Sequence, residues 1–220
     1  MRSEELISRL ARDLRPVRRL PGPLALTAAW VALAACVVGT AVLLMGPRED
    51  LMAHLAAPDR ALPLLAAVAT GLLAGFSAFQ LALPDRDGRW GLLPLPAVLL
   101  WLTGMGWGCT ADLARIGPAA LQLGASFACF GFITALGLPL TAGIAFMARH
   151  AAALRPGPVV ALGGLSAAAL ASVGLSCVHH LDAALMVLAW HGVAVLCVTA
   201  VAWNCGPWLL RRLGAAAPRL

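Results

Sequence analysis

The sequence predicts an all-α fold, a six-helix transmembrane bundle with a short N-terminal amphipathic cytoplasmic helix. Three observations predict it. Of 220 residues, 61% are hydrophobic and only 12% charged, where a soluble domain is nearer half apolar and a quarter charged. Six apolar stretches run over 24–46, 62–83, 91–108, 118–147, 158–176 and 183–208, and each approaches the ~20 residues that cross ~30 Å of hydrocarbon. The breaks between them are charged and turn-rich, as at Pro47-Arg48-Glu49-Asp50, Pro84-Asp85-Arg86-Asp87-Gly88-Arg89 and Arg155-Pro156-Gly157-Pro158. A single membrane domain, 24–210, therefore sits between a cytoplasmic segment, 1–23, and a cytoplasmic tail, 211–220.

The first element is the head. Residues 3–14 carry Leu6, Ile7, Leu10 and Leu14 as one apolar stripe at helical spacing, with Glu4 and Glu5 in the first turn. Pro16 and Pro21-Gly22-Pro23 end the helix before the first crossing. About twelve residues are marginal as an isolated helix, so the stripe needs a surface. Either the anionic headgroups or a groove on a partner protein would supply one.

The first apolar stretch is read as a retained span. Leu33-Ala34-Ala35-Cys36 imitates a lipoprotein cleavage site, but the apolar run continues well past Cys36, and three acids precede it. Arginine orients all six spans. The chain has sixteen arginines and no lysine. With the N-terminus inside, thirteen fall in inner segments and only Arg48, Arg60 and Arg115 fall outside, while the ten acids divide five and five. Short cytoplasmic segments carry such an excess, so both termini are expected in the cytoplasm of a bacterial inner membrane. Trp107 and Trp190 fit an outer interfacial belt, Trp90 and Trp208 an inner one, and Trp30 and Trp101 lie deeper.

Depth counting then groups the thiols. Cys109 lies 20 residues from Arg89, Cys129 lies 20 from Arg149, and Cys177 lies 22 from Arg155. At ~1.5 Å per residue each stands near the outer boundary. His191, 20 residues before Arg211, reaches the same level, and His179, His180 and Asp182 occupy the outer loop. Such a set can form a disulfide or take a soft metal, although it matches no closed zinc motif. Cys36, Cys197 and Cys205 read as small apolar fillers.

Enzyme signatures are missing: there is no phosphate-binding glycine loop, no HExxH and no GxSxG. No cofactor and no direct nucleic-acid binding are expected. Acids are absent from the six stretches apart from Asp182 at one mouth, which weakens a transport reading. A small inner-membrane metal or solute transporter is nevertheless the alternative; its loss would alter uptake and leave transcription unchanged.

Several segments carry a family resemblance: Leu6-Ile7-x-x-Leu10-x-x-Asp13-Leu14-x-Pro16-Val17 at the N-terminus, a cysteine in the fourth span, Cys177-Val178-His179-His180-Leu181-Asp182, Trp190-His191, and Leu209-Leu210-Arg211-Arg212. With six crossings, the chain resembles the NrsF-type anti-sigma factors, polytopic inner-membrane regulators that restrain an extracytoplasmic-function sigma factor. The likeness runs over nearly the whole chain through widely spaced motifs. It implies a signalling cysteine pair at Cys129 and Cys177, accompanied by Asp182 and by Trp190-His191. The chain departs from the pattern in carrying His179 and His180 between cysteine and acid, so the signal-sensing set is Cys129, Cys177, His180, Asp182 and His191, and oxidant or metal stays open. The same resemblance makes a sigma factor the partner at the cytoplasmic face. Leu6, Ile7, Leu10 and Leu14 would enter its groove and Asp13 would accept a charge-assisted hydrogen bond. The loops at 84–90 and 148–157 and the tail from 209 would share the contact. The protein is thus expected to be a regulator rather than an enzyme.

Overall fold

A computed structural model describes residues 3–12, 21–121, 127–149, 151, 154–178 and 184–214. Among them there is no strand. Eight α-helices follow in order: α1 (Ser3–Arg12), α2 (Pro23–Met45), α3 (Leu51–Ala56), α4 (Pro58–Leu81), α5 (Leu95–Ile116), α6 (Phe127–Ala148), α7 (Pro156–Ser176) and α8 (Ala184–Arg212). Short 3-10 turns precede and follow α5, at Gly88–Leu92 and Gly117–Leu121. The expected six-helix bundle is present, since α2 and α4 to α8 are each long and apolar enough to cross a membrane.

Several boundaries move. The helix of the third span, α5, runs past the expected limit at 108 to Ile116, and so includes Asp112. That of the second span, α4, begins at Pro58 and includes Asp59 and Arg60. Each helix thus carries an acid near one end, just beyond its apolar stretch. Hydropathy falls at these charges, but a helix does not have to stop where hydropathy falls when the charges are paired. Proline opens several helices, as at Pro23, Pro58 and Pro156, where its missing N–H would have had no helical acceptor anyway.

The helix α7 is the axis of the fold. It packs on α2, α4, α6 and α8, and most of its length is buried. Its sequence explains why. A Cβ on Gly163 would run into Ile144 of α6, and one on Gly164 would stand 2.7 Å from the Ala202 Cβ of α8. Small residues let helices approach closely where no hydrophobic drive separates helix from lipid. The other helices keep one buried face and leave large apolar side chains outside, among them Leu43, Leu99, Val193 and Leu196. That inverted surface is what a lipid-facing bundle needs.

The end of the bundle at which α2 begins is termed proximal, and the opposite end distal. Hydrogen bonds lace the distal end together: Arg48 N–H to the Cys177 carbonyl at 2.9 Å, and Ala184 N–H to Asp112 at 2.7 Å. At the proximal end Arg155 donates to the Arg86 carbonyl at 3.2 Å, and Phe76 meets Trp90 edge-on at 5.7 Å.

Candidate functional site: the distal cavity

The distal ends of α4, α5, α6, α7 and α8, with Arg48 and His54 from the connection between α2 and α4, line a partly open cavity of about 50 Å³. Its apolar wall includes Leu64, Trp101, Met105 and Met186; its polar wall includes Arg48, Arg60, Ser172, Ser176 and His191. One water needs roughly 10–15 Å³ of such space, so a few waters or one small ligand would fill it.

Cys129 belongs to this wall. It sits in the first turn of α6, is 5% exposed, and packs in a cluster with Trp101, Ile133, Leu175 and Val178. His191, which also lines the cavity, is 3% exposed, and its Nδ1 lies 2.9 Å from Ser172 Oγ. That bond fixes the ring, because one imidazole nitrogen is committed to α7. Phe127 and Trp190 meet edge-on at 5.3 Å, tying the start of α6 to α8 beside the same site.

Cys177 lies just outside the cavity. It caps the C-terminus of α7 one residue beyond the lining residue Ser176, and its Sγ donates to the Val173 carbonyl at 3.4 Å. Burial pushes this thiol's pKa up from the ordinary range, because the thiolate loses water it would need. Cys109 is half-buried on α5 near Gly108. None of the six cysteines is joined in a disulfide. The structure thus brings Cys129 and His191 to one cavity and leaves Cys177 at its edge. His180 and Asp182, with His179, fall outside the described residues. Among the described residues, no three His, Cys, Asp or Glu side chains converge as a metal-ligand set.

In the head, α1 forms with Glu4 and Glu5 in its first turn, and Ile7 is 64% exposed. Leu6 and Leu10 lie on the same helix, whereas Asp13 and Leu14 fall outside the described residues.

The chief feature that sequence reasoning missed is a charge network beside the cavity. Arg60 of α4 donates to Asp112 of α5 at 2.6 Å; Arg115 donates to Asp112 at 3.0 Å and to Asp59 at 2.7 Å. Asp112 is 4% exposed. Each of the three arginines counted as outer has an aspartate partner, since Arg48 pairs with Asp50 at 2.6 Å. The signal was legible: Asp59-Arg60 and Asp112-x-x-Arg115 put one charge of each sign at two neighbouring helix ends.

In comparison with known proteins, the family description "Negative regulator of sigma F", NrsF, matches residues 10–211. No curated protein and no solved structure matches the chain.

Proposed function

The chain belongs to the NrsF family of negative regulators of sigma F, and from that premise we propose a membrane-bound anti-sigma factor that releases its partner on a thiol-reactive signal. The partner of such a regulator is a sigma factor. On this reading it is of the extracytoplasmic-function type, and it is held at the cytoplasmic face of a bacterial inner membrane. The proximal end then faces the cytoplasm and the distal end the periplasm, the orientation that the arginine excess favours.

The head supplies the grip. Leu6, Ile7, Leu10 and Leu14 enter a groove on the sigma factor, and Asp13 accepts from one of its basic side chains. The exposure of Ile7 supports this, because an open apolar residue on a ten-residue helix offers itself to a partner.

The sensing half rests on one observation: Cys129 and His191 share a cavity, with Cys177 at its edge. An oxidant would remove two electrons and two protons from the two thiols as they join; a heavy metal would displace the thiol protons and take sulfur and imidazole as ligands. His180 and Asp182 complete the set. Either event acts only by favouring one of two helix arrangements. The helices that carry the two thiols, α6 and α7, meet at the proximal end through the segment from Arg149 to Arg155, so a shift between them reaches the partner's side.

The test is co-purification of a sigma factor with the full-length protein, lost in Leu10→Glu. A wild-type protein that captures no sigma factor would remove the whole reading. For the sensing half, Cys129→Ser with Cys177→Ser should abolish the response of a sigma-dependent reporter to diamide and to cadmium; a normal response would leave repression standing and remove the thiols from it.

A further inference from the structure

We propose that Asp112 is the positioning residue that holds α8 in its sigma-restraining position, by clamping the first turn of that helix from across the bundle. The inference rests on the anti-sigma reading, and its cross-linking test on a wild type that diamide or cadmium induces.

The first amides of any helix lack an intrahelical acceptor. At the start of α8 the Ala184 N–H finds one on another helix, Asp112 Oδ2 at 2.7 Å. The carboxylate suits the positive end of a helix, and the bond is charge-assisted. Its other oxygen takes Arg60 at 2.6 Å and Arg115 at 3.0 Å, so Asp112 is itself held from α4 and from its own helix. One turn earlier on α5, Gly108 leaves room for the incoming chain: a Cβ there would stand 3.0 Å from that of Ala184. A gap and a carboxylate thus form a two-point seat, and Ala184 is 3% exposed within it.

Position in the chain gives this seat its consequence. Ala184 follows directly on the 179–183 segment, which is preceded by Val178 and by Cys177, whose carbonyl accepts from the Arg48 N–H at 2.9 Å. From Ala184 the helix runs 29 residues to Arg212 at the proximal end, with Pro207 as the one proline inside it, close to that end. Displacing the first turn therefore moves the far end, as helix shifts do in switching proteins. The contact is also discrete, because a buried amide off its acceptor is costly, so the helix is seated or unseated rather than graded between.

Two variants open the seat by different routes. Asp112→Leu removes the acceptor, and Gly108→Leu fills the gap while leaving Asp112 in place. Both should raise a sigma-dependent reporter in unstressed cells by about tenfold per unit of membrane protein by immunoblot, the shift expected from losing one charge-assisted hydrogen bond. Asp112→Glu should restore much of the repression. The opposite variant pairs Gly108→Cys with Ala184→Cys: the two Cβ positions, 3.0 Å apart, need part by only about half an ångström to reach a disulfide's separation, far less than the leucine side chain demands. Cross-linked in the full-length protein, it should lock repression so that diamide and cadmium no longer induce the reporter, and cells treated with a membrane-permeant reductant, washed free of it and then given cadmium should induce again. A cross-linked protein that still induces normally would overturn the clamp, whatever the folding of the leucine variants. Sigma-factor capture by the wild type is measured alongside: its failure would sink the anti-sigma reading, whereas its success with an inducible cross-linked variant sinks the clamp alone.

Discussion

Trp30 of α2 donates its indole N–H to Ser166 of α7 at 3.0 Å, and the same hydroxyl donates to the Gly71 carbonyl of α4 at 2.6 Å. Three helices are joined by one serine, with Trp30 and Ser166 both fully buried. The bond matters because α2 is the least buried of the six long helices; only Trp30, Ala34 and Val38 are buried along it.

Ser166→Ala should therefore destabilise the protein by about 1 kcal/mol, the usual scale for an interhelical hydrogen bond in a membrane protein. Trp30→Ala removes the bond and a large core side chain together and should cost about 3–5 kcal/mol. Unfolding by sodium dodecyl sulfate in mixed micelles reads both. A Ser166→Ala protein as stable as wild type would mean that α2 docks by packing alone.

How much of this was legible in the sequence differs between fold and site. The six spans were, because a run of ~20 apolar residues has few other uses. Ends were less so: Asp112 and Asp59 lower local hydropathy, yet their pairing with Arg60 and Arg115 lets α4 and α5 continue through them. Depth counting brought Cys129 and His191 to one level, and the cavity joins them. It could not separate Cys129 from Cys177, because a rise per residue fixes height but not the direction in which a side chain points. The Asp112–Ala184 bond was beyond reach for a similar reason: its partners lie 72 residues apart and one of them is a backbone amide.

Glycines on the long helices should sort into two groups. Gly163→Ala drives a Cβ into the stiff, β-branched Ile144 and should cost about 1–3 kcal/mol as overpacking. Gly131 and Gly192 have nothing within 4 Å of an added Cβ, so alanine there should be neutral or slightly stabilising through helix propensity. Thermal unfolding in detergent separates the groups; equal effects at all three positions would contradict α7 as the tightly packed axis.

Cys177 should be a slow thiol at neutral pH. Burial raises its pKa above the ordinary value, and only the thiolate attacks a maleimide. In a variant with the other five cysteines replaced by serine, alkylation should lag behind glutathione at pH 7. The rate should climb as pH rises, with a midpoint above the ~8.5 of a free cysteine. Alkylation faster than glutathione at pH 7 would reverse the sign and point to an activated sulfur.

The ion network predicts that two losses together cost less than either alone. Asp59, Arg60, Asp112 and Arg115 balance two charges against two. Removing Asp112 leaves the group one positive charge in excess, and removing Arg60 leaves one negative charge in excess. Either single change to leucine should destabilise by about 3–5 kcal/mol, because a buried charge loses its shortest ion pair and keeps only the longer contact, Arg60 to Asp59 or Asp112 to Arg115. Arg60→Leu with Asp112→Leu leaves Asp59 and Arg115 paired at 2.7 Å and restores neutrality, so much of the stability should return, as in a double-mutant cycle with strong coupling. Recovery will fall short of wild type by the Ala184 hydrogen bond that only Asp112 supplies in this pair, about 1.5–3 kcal/mol for a bond to a charged group. Strictly additive losses would show that the two side chains do not act as a pair.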